Sequence, residues 1–162
     1  MKIIKTIDDK EIVFDFELTK ILTTKFLINE TIEGLEKPKE KQPVKFDYGI
    51  GLGFMTDKRL VKIHCNFNCV IDNDSKHNAV LSTDYIFTVS NLDVFVNEDH
   101  SIGIPLYFLA TMVGLALSTN RGIWYEKTAG SNFSRALFPI VDPTPIAKDI
   151  IEKRVQESHT EK

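Results

Sequence analysis

Apolar and polar residues alternate along four stretches of the chain before the pattern gives way to helical spacing. Ile12, Phe14, Phe16 and Leu18 are interleaved with Val13, Asp15, Glu17 and Thr19, the period-two signature of a strand with one buried face. The same even phase returns at Leu22, Phe26 and Ile28, so one long or broken strand is expected over 12–29. A second strand is expected over 44–54, with Val44, Phe46, Tyr48, Ile50, Leu52 and Phe54 on one face and Lys45, Asp47, Gly49, Gly51 and Gly53 on the other. After a turn at Thr56-Asp57-Lys58 the third, over 60–71, sets Val61, Ile63, Cys65, Phe67, Cys69 and Ile71 against Lys62, His64, Asn66 and Asn68. The fourth, over 80–96, carries Leu81, Tyr85, Phe87 and Val89, then changes phase after Ser90-Asn91, which predicts a bulge or a bend. Between these lie a polar linker at Glu33–Gln42 and a turn cluster at Asp72–Asn78.

From Asn97 the period changes. Glu98, Asp99 and Ser101 precede Pro105, which suits a first helical turn, and Leu106–Leu117 follows, interrupted only by Thr111 and Gly114. A helix over 105–119 that is apolar nearly all round must be covered on more than one side, and a four-stranded sheet covers one. A second subunit is expected on the other, as homodimer or homotetramer, with Leu106, Leu109, Met112 and Val113 at the interface. A second, amphipathic helix is expected over 145–156, with Ile146, Ile150 and Ile151 inward. The fold class that results is α+β, a four-stranded antiparallel sheet followed by two helices, in one domain spanning 1–162.

Composition narrows the function. Twenty Lys+Arg against 23 Asp+Glu leave a net charge of −3, with no basic stripe to neutralise phosphates, so no nucleic-acid partner is expected. Met1-Lys2-Ile3-Ile4-Lys5 is too charged for a signal peptide, and no apolar run reaches the ~20 residues that span a bilayer, so no membrane insertion and a cytoplasmic location are expected. Cys65 and Cys69 stand on one strand face, about 13 Å apart and beyond the ~7 Å reach of a disulfide, and read as core thiols.

Catalytic and cofactor chemistry finds no foothold. Gly49, Gly51 and Gly53 alternate inside a strand instead of joining a strand to a helix, which leaves them unlike a dinucleotide loop. His64, His77, His100 and His159 are not paired at ligand spacing, and Asp72, Asp74 and Ser75 lack the glycine and glutamate of a calcium loop. His64 and Cys65 point to opposite strand faces and cannot form a nucleophile and base. The expectation is a binding protein, not an enzyme, with no cofactor and no metal. One segment is rich in binding chemistry: Arg121-Gly122-Ile123-Trp124-Tyr125, followed by Phe133, Phe138, Pro139 and Ile140. It reads either as packed connecting loop or as an aromatic-lined groove for an extended peptide, formed by Trp124, Tyr125, Phe133 and Phe138, with Ile21 and Phe26 as the opposite wall.

Three stretches resemble the SecB-type protein-export chaperones. Phe16–Phe26 is similar to that family's opening strand, Val44–Ile71 to its central pair of strands, and Leu117-Ser118-Thr119-Asn120-Arg121-Gly122 with Leu137–Pro143 to the end of its long helix, an Arg-Gly turn and the loop before the last helix. Ile104-Pro105-Leu106-Tyr107-Phe108 departs from the family's approach to the long helix, and the tail Glu157–Lys162 mixes signs where the family's docking tail is acidic. The resemblance implies a SecB-like fold, ATP-independent binding of unfolded polypeptide clients in apolar grooves, and a link to export through the motor SecA. Two other classes compete with it. One is a small-ligand enzyme or carrier of hotdog type, whose long helix comes early; the other is an oligomeric adaptor with one folded partner.

Overall fold

The computed structural model describes residues 2–7, 10–29, 43–71, 77–96 and 103–160, with side chains from 13 to 153. The linker expected at Glu33–Gln42, most of the turn at Asp72–Asn78, the acidic approach Glu98–Ser101 and the side chains of the tail lie outside them.

The four expected strands form as β2 (Lys10–Asn29), β3 (Val44–Met55), β4 (Leu60–Ile71) and β5 (Asn78–Val89), preceded by a strand the pattern did not reveal, β1 (Lys2–Ile7). All neighbours are antiparallel, in the order β1-β2-β5-β4-β3. β1 lies along β2 only as far as Lys2 opposite Asp15, so it forms a hairpin at one end of the four-stranded sheet. β3 and β4 are joined by a tight turn in which Arg59 takes a left-handed conformation (φ 53°). After β5 the phase change resolves as a turn, not a bulge: Asn91 is left-handed (φ 54°), a conformation that asparagine tolerates, and Leu92–Phe95 form a 3-10 turn. Bulges do occur, inside β2. Register shifts between Leu18 and Lys20 and between Thr23 and Lys25 put Ile21, Phe26 and Ile28 on the face of Phe16 and send Leu22 to the other, against its expected even phase.

Two helices follow, α1 (Leu106–Lys127) and α2 (Pro143–Thr160). α1 runs eight residues beyond its expected end, through Arg121-Gly122, which is therefore helix and not a turn. An interior glycine costs about 1 kcal/mol, and burial of Trp124 one half-turn later more than offsets it. α2 opens on Asp142, whose carboxylate accepts from the Thr144 amide at 2.9 Å, and Pro143 and Pro145 fall in the first turn, where no intrahelical donor is required. The core lies between the sheet and the helices: the odd residues of β4 and β5 meet Phe108, Leu109, Met112, Val113, Ala116 and Trp124 of α1. The opposite face of the sheet has no helix over it among the described residues.

Candidate functional site: two open apolar surfaces

Sequence reasoning put six residues on one peptide groove, and the structure separates them. Trp124 is 1 % exposed, and Phe133 and Phe138 are buried as well. They are core, because α1 continues far enough to carry Trp124 under the segment that follows it. The Trp124 indole N–H donates to the Ala136 carbonyl at 2.8 Å, and Phe46 packs edge-on against it at 5.8 Å. Tyr125, the next residue round the helix, is 63 % exposed, while Ile21 and Phe26 stand 42 % and 36 % exposed on β2. The four residues expected at a subunit interface divide in the same way. Leu109, Met112 and Val113 are fully buried within the protomer, against the sheet, and only Leu106 is exposed. The outward stripe of α1 is instead Tyr107, Leu115, Ser118, Gly122 and Tyr125.

The buried aromatics nonetheless build a surface. Phe138 stacks on Phe67 with ring centroids 3.7 Å apart and meets Phe46 and Tyr48 edge-on at 5.5 and 5.6 Å. This floor is shut, but its rim is open. Tyr48 is half exposed, and Leu137 and Ile140, either side of Phe138 and Pro139, are 64 % and 85 % exposed. Leu137 and Ile140 were not among the residues expected to line the groove. Nothing in the sequence separates them from Phe138, since all are apolar in one loop and only the fold decides which side chain turns inward.

The second surface is β2 itself. Beyond the β1 hairpin, its outer edge from Phe16 to Asn29 pairs with nothing among the described residues. Ile21, Leu22, Phe26 and Leu27 are exposed along it, two on each face, and Lys127 at the end of α1 lies 5.4 Å over the Phe26 ring. On the helix-free face, Asp84 accepts from His64 Nδ1 at 2.6 Å and faces Lys62 Nζ at 3.5 Å, and the Ser82 hydroxyl donates to Asn66 Oδ1 at 2.8 Å.

Burial holds the titratable groups of the interior in their neutral forms. Burial pushes the Cys65 thiol up to about 12, with the Asp84 carboxylate adding to it, and burial alone takes Cys69 to about 12. Burial, then the neighbouring Cys65, raises the Tyr85 phenol above its usual range, and its hydroxyl donates to Asn120 Oδ1 at 3.0 Å. Among the described residues no three His, Cys, Asp or Glu side chains gather as metal ligands, and no helix is long and apolar enough to cross a membrane.

Against solved structures, the chain superposes on a SecB-like chaperone of Mycobacterium tuberculosis with a TM-score of 0.56 over 78 % of this chain and 89 % of that one. The fold is SecB-like. Identity is 11 %, so the likeness lies in the architecture, and that chaperone was solved in complex with a ChAD peptide from the HigA1 antitoxin. A protein of unknown function from Streptococcus agalactiae aligns with 71 % of the chain at 10 % identity and a TM-score of 0.31. No family model and no curated sequence matches the chain. In this SecB-like frame the four long strands and two helices correspond to the expected α+β class, with the β1 hairpin as an addition.

Proposed function

We propose that this chain is a chaperone-like, polypeptide-binding protein that holds unfolded segments without ATP and works as a homo-oligomer. The observation that carries the reading is the open rim of Tyr48, Leu137 and Ile140 over a closed aromatic floor. Apolar side chains held in water by a rigid base suit a binder of extended, aromatic-bearing chain. A solved structure of the same architecture with a peptide bound supports it. For self-association, the outward stripe of α1 replaces the buried residues first expected. Tyr107, Leu115 and Tyr125 supply apolar area, and a Cβ at Gly122 would meet nothing within 4 Å, leaving room for a second backbone. Service to the export motor SecA in the cytoplasm is the narrower form of the reading, tested by co-sedimentation with purified SecA.

The principal test uses a reduced, unfolded client and a folded control of equal size. Trp124, three ring contacts from Tyr48 of the rim by way of Phe46 and Phe138, reports on occupancy by fluorescence. The unfolded client changes the signal and the folded one does not. Leu137→Asp with Ile140→Asp, both at exposed positions, abolishes the change while far-UV circular dichroism stays native. Undiminished binding by that double variant overturns the assignment of the rim.

A further inference from the structure

The β2 edge differs in charge from the rim, and that difference names a ligand. Between Leu18 and Asn29 the strand carries Lys20 and Lys25 and no acidic residue. Register with β5 sets Lys20 opposite Ile86, Leu22 opposite Asp84, Lys25 opposite Ser82 and Leu27 opposite Val80. All four therefore share the helix-free face, in the order cation, apolar, cation, apolar. The bulge at Thr24 produces this, since without it Lys25 and Leu27 would turn to the other side. Lys20 and Lys25 make no ion pair among the described residues, although the chain as a whole is acidic.

Lysines on a free edge are a known guard against strand pairing, because each incoming copy meets its own charge. In the register of full overlap, a second β2 would set one lysine-bearing stretch against another. The guard has a complement. A strand with carboxylates opposite the lysines would relieve their charge, satisfy the unpaired backbone of β2 and cover Leu22 and Leu27.

We propose that the free edge of β2 is a docking strand for an extended polypeptide segment that alternates acidic and apolar side chains. The inference rests on polypeptide binding as the function and adds a second mode to it. The four residue steps along β5 from Ser82 to Ile86 fix the spacing. Acidic residues four apart, about 13 Å, face Lys25 and Lys20, with an apolar residue between them against Leu22 and another against Leu27. On the helix side the same segment lies along Ile21 and Phe26, where Lys127 offers a third cation.

The probe is a synthetic Leu-Thr-Glu-Thr-Leu-Thr-Glu peptide with flanking Thr residues, against the same peptide with Lys for Glu. At low salt the acidic peptide binds about tenfold tighter, and the preference shrinks above ~0.5 M salt. Lys20→Glu with Lys25→Glu inverts the preference, and N-methylation of alternate peptide backbone amides abolishes binding, which marks strand pairing. A preference that survives charge reversal, or binding indifferent to N-methylation, overturns the proposal. So does a reversal that changes only sedimentation, since the edge would then join copies of the chain. Binding of the unfolded client at the rim is read separately through Trp124, so loss of the peptide preference with that signal intact removes the edge mode alone.

Discussion

β4 and the long strand β2 offer similar apolar content to the protein and are treated in opposite ways. Every second residue of β4 is buried, from Val61 to Ile71, because neighbours lie on both edges and a helix lies above. Among the described residues β2 has β5 on one edge and nothing on the other beyond the hairpin, and α1 passes over β4 and β5 instead. Phe67 is consequently sealed, and Phe26 is not. Strand character is a local property of the residues, whereas burial belongs to a strand's place in the sheet.

The comparison is broken most severely by Phe67→Ala. Loss of a buried ring stacked on Phe138 costs about 3–5 kcal/mol, read as a fall in the urea midpoint, whereas Phe26→Ala costs about 1 kcal/mol. Near-equal losses would mean that β2 is covered in solution. A smaller effect comes from the thiols of β4. Cys65 and Cys69, raised from an ordinary 9.0 to about 12, stay protonated in the folded chain and ionise first in the unfolded one. Their contribution to stability is thus whole below pH 9 and is lost as pH climbs toward 12, and Cys→Ser variants flatten that decline. In the native state near pH 8 both resist alkylation and react once unfolded. The smallest effect is a gain. Gly51 on β3 has no left-handed backbone, and a Cβ there would touch His64 Cβ at an ordinary 3.5 Å, so Gly51→Ala raises stability by about 0.4–1 kcal/mol in thermal melts.

Much of the sheet was legible in the sequence. β3 and β4 begin and end within a residue of where alternation placed them, because consecutive strands joined by a tight turn depend on neighbours close in sequence. β2 was legible in extent and not in face, since its two bulges are invisible to a period-two pattern. They swapped Leu22 across the sheet. The end of α1 was misplaced because Gly122 looks like a stop. Only the tertiary burial of Trp124 under Ala136 keeps the helix going. With that one extension Trp124, Phe133 and Phe138 lie in the core instead of along a groove wall. The residues that did prove open, Leu137 and Ile140, are indistinguishable from them by composition.

The sheet order also sets a schedule. Asp15 finds its partner in Ser90, 75 positions along the chain, so β2 is synthesised well before the strand that pairs with it. At about 5–20 residues per second, the ribosome leaves that segment waiting for several seconds, with Ile21, Leu22, Phe26 and Leu27 in water. β3 and β4 can close as a hairpin during the wait, and β5 then adds to β4 and receives β2 last. Lys20 and Lys25, already present on the nascent strand, keep neighbouring copies on a polysome from pairing through it. The strand left open in the finished protein is thus the one with the longest unpaired interval during its making.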